Sequence, residues 1–206
     1  MKDLDEVLTE ITAIRNQMAR SAEFRGYGPA TLAATGVFAA LAAGGQALWL
    51  KHPESDVVAY LVIWVTIAAL SVALIGFEMV TRSRRVHTGL AEEMIATAVE
   101  QFLPAAAAGT LVTAVLFRFA PENLWMLPGL WQIMFSLGVF ASCRFLPRPI
   151  FAVGVWYLTT GLACLAFASG ERAFSPWAMG VPYGVGQLLS AALLFQHGPE
   201  EGDGDV

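Results

Sequence analysis

Six stretches of this chain are long, apolar and uncharged through their middles, and no other feature constrains the fold as much. They are Pro29–Leu50, Val57–Val80, Pro104–Phe119, Leu124–Phe145, Pro149–Ser169 and Pro176–Phe195. Bilayer hydrocarbon is about 30 Å thick, so a spanning helix needs about 20 mostly apolar residues. The third stretch is short as bounded, and its helix is expected to begin upstream of Pro104, near Ala98. In lipid the backbone has no water to bond with, so spanning segments of this length must be helical. The expected fold class is therefore all-α: a polytopic membrane protein with six transmembrane helices as three hairpins. Composition agrees, with 56% hydrophobic and only 14% charged residues, against about 25% charged in an average soluble domain. Disorder is excluded by the same numbers. Nucleic-acid binding is excluded by a net charge of −5 and no basic run longer than two.

Orientation follows from the Lys and Arg residues flanking the spans, which are enriched on the cytosolic side. Nine lie on one side (Lys2, Arg15, Arg20, Arg25, Arg82, Arg84, Arg85, Arg144 and Arg148) and three on the other (Lys51, Arg118 and Arg172). Both termini are thus expected in the cytosol, with Trp49, Tyr60, Trp125 and Trp177 as aromatic anchors near the outer interface. The bacterial inner (cytoplasmic) membrane is the expected location. No cleavable signal peptide is read, because the first apolar stretch is too long for one. Three regions result: residues 1–28 as a cytosolic amphipathic helix and turn, 29–196 as the transmembrane bundle, and 197–206 as an acidic cytosolic tail, expected to be disordered.

Helices in lipid associate through close packing of small residues. Gly36, Ala40 and Gly44 form one such face on the first span, Ala105, Gly109 and Thr113 another on the third, and Gly180 and Gly184 a third on the sixth. Packing within the bundle is the plain reading, and a homodimer seam the sharper one. In the N-terminal segment Leu4, Val7, Ile11, Ile14 and Met18 recur at spacings of three and four, the pattern of an amphipathic helix. A surface-lying lipid anchor would carry Lys and Arg on its polar face. Asp3, Asp5, Glu6 and Glu10 stand there against Lys2 alone, so this face is read as a protein contact.

Chemistry is sparse. His52, His87 and His197 fall in loops or at a span edge, and no metal, cofactor or catalytic site is assigned. No zinc-protease helix motif, nucleophile elbow, phosphate loop or CxxC pair occurs. Cys143 and Cys164 sit roughly 20 Å apart in depth at about 1.5 Å per residue, too far for a disulfide. Glu78 stands four residues before Arg82, so an ion pair along the helix surface accounts for it. One constellation rises above this background. Pro128 and Gly129 are read as interrupting the fourth span, and Pro182, Gly184 and Gly186 the sixth, and broken helices can expose backbone groups to a ligand. Trp131, Gln132, Tyr183 and Gln187 lie close by as a possible ligand pocket. The competing reading is that the two glutamines bond each other across helices.

The run from Ile14 through Arg15, Asn16, Gln17 and Met18 to Phe24, leading into a small-residue first span, resembles a class of short, uncharacterised bacterial six-span membrane proteins. The stretch from Trp177 to Gln187 is similar. The resemblance implies no activity. Two expectations follow for function. One is a non-enzymatic protein in contact with membrane lipids that acts through a protein partner or homo-oligomer, as an accessory subunit or a sensor coupled to a cytosolic regulator. The alternative is a carrier or facilitator for a small neutral or lipid-like solute.

Overall fold

A computed structural model describes residues 28–50, 56–86, 89–143, 148–168 and 170–196. The N-terminal face of Leu4, Val7, Ile11, Ile14 and Met18, the tail after Gln196, and His52, His87 and His197 lie outside the described residues. The fold is all-α, with six helices each long and apolar enough to cross a membrane, and no strand among the described residues. The α-helices are α1 Pro29–Trp49, α2 Val57–Val86, α3 Gly89–Phe119, α4 Leu127–Ser142, α5 Phe151–Phe167 and α6 Pro176–Gln196; α4 and α5 reach spanning length together with the 3-10 turns before them, as Pro121–Ser142 and Arg148–Phe167. Short 3-10 turns, Pro121–Met126 and Gly170–Phe174, precede α4 and α6 and touch each other at the end of the bundle where α1 finishes, called the Trp49 end below.

The prolines act differently from place to place. Pro29 occupies the first turn of α1 and Pro128 that of α4, where a missing N–H removes no helical bond. Pro128 sits where the 3-10 turn Pro121–Met126 passes into α4, within the span Pro121–Ser142, so the irregularity read in the fourth span is a change of helix type beside that proline. Pro104 lies inside α3, which runs unbroken from Gly89, so the third span does begin upstream of that proline, with its apolar part at Glu100–Phe119. Pro182 is the interior break that matters, because α6 continues through it.

Packing divides the helices into two groups of three. α1 lies between α6 and α2, and α4 between α5 and α3, and contact within each group far exceeds contact between them. The α1–α6 pair is the most extensive and runs antiparallel, with Gly36 beside Gly184 and Ala43 beside Gly180. A Cβ on Gly36 would stand 3.1 Å from the Gly184 carbonyl, a tight approach to which the two backbones would have to yield by a few tenths of an ångström. The small-residue face is rotated from the one the sequence suggests. Gly36, Ala39, Ala43 and Gln46 are buried, whereas Ala40 is exposed and a Cβ on Gly44 would meet nothing within 4 Å. On the third span the sequence face holds: Gly109 approaches Met134 and Thr113 bonds Trp131, both on α4.

Where α1 begins, the Gly28 N–H donates to Glu78 Oε2 at 3.1 Å, tying that helix start to α2. Glu78 thus has a partner that its spacing from Arg82 does not suggest: a carboxylate set against the positive end of a helix dipole.

Candidate functional site

The seam between the two groups is where polar side chains collect, and α6 receives most of their bonds. Pro182 has no N–H, so the Ala178 carbonyl four residues earlier loses its helical donor. Gln132 on α4 supplies one: its Nε2 donates to Ala178 O at 2.9 Å and to Pro128 O at 3.1 Å. One turn further, Trp156 Nε1 on α5 donates to Pro182 O at 2.9 Å, and the Tyr157 hydroxyl reaches Tyr183 O at 3.5 Å. Around these bonds an aromatic chain crosses all four helices α3 to α6. Phe102 meets Phe135 at 5.3 Å between centroids, Phe135 meets Tyr157 at 4.7 Å, and Tyr157 meets Tyr183 at 5.2 Å.

The four residues expected to share a pocket are thereby placed. Gln132 and Tyr183 both face the seam. Trp131 is turned towards α3, donating to Thr113 Oγ1 at 2.8 Å. Gln132 donates to Pro128 O and Ala178 O and its carbonyl oxygen has no partner in the protein, so the two glutamines are not bonded to each other as the packing alternative supposed. Of the packing residues, Gly36, Ala40, Gly180 and Gly184 border an apolar groove of about 250 Å³ along the α1–α6 contact, with Trp177 and Leu188 on its rim.

Three residues of this region escape sequence reasoning. Tyr60, expected at the lipid interface, has no exposed surface and stacks edge-on against Phe174 at 5.3 Å. Trp49 and Trp177 do remain exposed on the bundle surface. Trp64, a turn after Tyr60, donates from Nε1 to Gln46 Oε1 at 3.0 Å. A glutamine inside an apolar span is itself a signal, and Gln46 could have been found beside Gln132 and Gln187. Tyr60 could not, because a tyrosine three residues into a span looks the same whether it faces lipid or core. Gln46 Nε2, Tyr60 Oη and Gln132 Oε1 are buried with no hydrogen-bond partner in the protein. No cluster of three metal-ligating side chains occurs among the described residues, and both cysteines are free thiols.

No family model, curated protein or solved structure matches the chain.

Proposed function

We propose that this is a non-enzymatic integral protein of the bacterial inner membrane, with both termini cytosolic, that acts through protein partners. It would serve as an accessory subunit of a membrane complex or as a sensor coupled to a cytosolic regulator. The observation that carries this reading is the length of α3. Its apolar span begins at Glu100 while the helix begins at Gly89, so residues 89–99 extend it by about 16 Å at about 1.5 Å per residue. α2 likewise runs on from Thr81 to Val86. These extensions stand at the Pro29 end, where the amphipathic pattern of Leu4 to Met18 enters the chain. Helices that run on past their apolar spans, in a chain whose N-terminal sequence is acidic and amphipathic, suit docking of another protein better than contact with anionic lipid.

Carriage of a neutral solute by Trp131, Gln132, Tyr183 and Gln187 acting together draws less support, since Trp131 is directed to Thr113 on α3. The test is co-purification from native membranes in mild detergent, comparing the full chain with one lacking residues 1–20. A partner recovered with the full chain and lost on deletion is the expected result. Recovery of a lone monomer, with no phenotype on deletion, would overturn the reading.

A further inference from the structure

The groove between α1 and α6 opens on the flank of the bundle, where the surrounding medium is membrane. Gly36, Ala40, Gly180 and Gly184 form its floor, and their small size leaves the space of about 250 Å³. Its lining holds no charged residue and no polar side chain besides the Trp177 indole. Trp177 at one end and Leu188 at the other are each about half exposed. From Trp177, the second residue of α6, to Leu188 is about 16 Å at about 1.5 Å per residue. One leaflet supplies about 15 Å of hydrocarbon, half of the bilayer's roughly 30 Å. The groove therefore starts at the membrane surface at the Trp49 end and stops near the midplane, which is the reach of one acyl chain. A transmembrane helix, about 10–12 Å across with its side chains, is too thick to seat in it.

Two side chains at the mouth match the polar end of such a chain. The Trp177 indole N–H has no hydrogen-bond partner among the described residues. Tryptophan is favoured at this level because its ring is apolar and its N–H is not. Arg172 stands in the 3-10 turn that leads into α6, its carbonyl accepting from the Ser175 N–H at 3.2 Å. Its side chain is exposed and makes no ion pair with the described residues. A guanidinium at headgroup level complements a phosphate, which its planar fork can hold through two hydrogen bonds. We propose that the α1–α6 groove binds one glycerophospholipid of the leaflet at the Trp49 end. One acyl chain lies over Gly36, Ala40, Gly180 and Gly184, the phosphate pairs with Arg172, and Trp177 donates to the ester carbonyls between them. The site stands apart from the partner reading, which rests on the opposite end of the bundle.

The test is native mass spectrometry of the full-length protein released from detergent micelles. The micelles are supplemented with phosphatidylglycerol or, separately, with the diacylglycerol carrying the same chains. Ala40 is exposed on the groove floor, so Ala40→Leu fills the groove without entering the α1–α6 contact. Arg172→Gln removes the phosphate partner and lies outside the six helices. The wild type is expected to retain a single phosphatidylglycerol per chain. Ala40→Leu should retain severalfold less of both lipids, and Arg172→Gln severalfold less phosphatidylglycerol with diacylglycerol unchanged. Should Ala40→Leu fail to fold, Arg172→Gln decides alone. Phosphatidylglycerol retained equally by the wild type and either folded variant overturns the proposal, as does a wild type with no one-lipid species. A dimer found in place of the lipid adduct, and lost in Ala40→Leu, also overturns it and gives the groove to a second copy.

Discussion

The amide of Gln132 donates to the Ala178 carbonyl at 2.9 Å, and that carbonyl is the one Pro182 deprives of its helical N–H. A break in one helix is thus closed by a side chain from another, across the seam between the two helix groups. The two residues should therefore be energetically coupled. Interhelical hydrogen bonds in membrane proteins average about 0.6 kcal/mol and reach about 1.7. Gln132→Leu is expected to destabilise the protein by an amount in that range, and the loss should shrink in a Pro182→Ala background, where the restored N–H serves Ala178. Detergent-denaturation curves of the two single variants and the double variant measure the coupling, and equal losses in both backgrounds would disprove it.

The rotated α1 face makes two chemically identical substitutions behave differently. A Cβ at Gly180 would overlap the Ala43 side chain, whereas one at Gly44 meets open space. Gly180→Ala should cost about 1–3 kcal/mol through overpacking. Gly44→Ala should be neutral or stabilising by up to about 1 kcal/mol, since alanine loses less backbone freedom in a helix. Unfolding midpoints of the two variants, taken side by side, check the register.

Trp131 holds α4 to α3 through its bond to Thr113 Oγ1, and Thr113 in turn donates to Gly109 O at 2.7 Å. Replacing Thr113 by Val keeps the shape and removes the acceptor, for an expected loss of about 0.5–1.5 kcal/mol. Thr113→Ser should recover most of that stability. In a Trp131→Phe background Thr113→Val should add little further, and a full additional loss there would show that the hydroxyl acts through packing alone.

At the other end of the bundle, Glu78 accepts from the N–H of Gly28, the residue that caps the start of α1. Removing the carboxylate by Glu78→Ala should loosen that helix start without unfolding the bundle. Amide exchange at Gly28 is expected to rise by on the order of tenfold, as for loss of one partly exposed hydrogen bond. Glu78→Gln, which keeps an acceptor oxygen, should fall between. Unchanged exchange in Glu78→Ala would mean that the contact does not hold the helix start.

Much of the architecture is legible in the sequence, because span length and apolarity are direct readouts of membrane thickness. The six helices fall where their apolar runs do, and the start of the third upstream of Pro104 follows from the number of residues needed to cross. What is not legible is rotation. Ala40 and Gly44 look as good as Ala39 and Ala43 until the crossing of α1 and α6 is known, and Tyr60 reads as an interfacial anchor until Phe174 is seen beside it. The same holds for the site. Gln132 and Tyr183 are recognisable as polar groups in apolar helices, but that Gln132 serves Ala178, and that Trp131 turns away to Thr113, depends on which helices are neighbours. Neighbourhood is a long-range property that periodicity within a segment does not encode.

The most extensive contact in the molecule joins its first span to its last. During synthesis α1 enters the membrane with its small-residue face bare and keeps it so while four more spans are made. The mate of Gly36 is Gly184, and it reaches the bilayer only when nearly the whole chain has left the ribosome. A chain cut short before Pro176 would carry every other helix yet leave that face uncovered, available to any transmembrane segment nearby. Completion of this fold is therefore a timed event, and a prematurely ended chain would present the membrane's quality-control proteases with a ready-made mark.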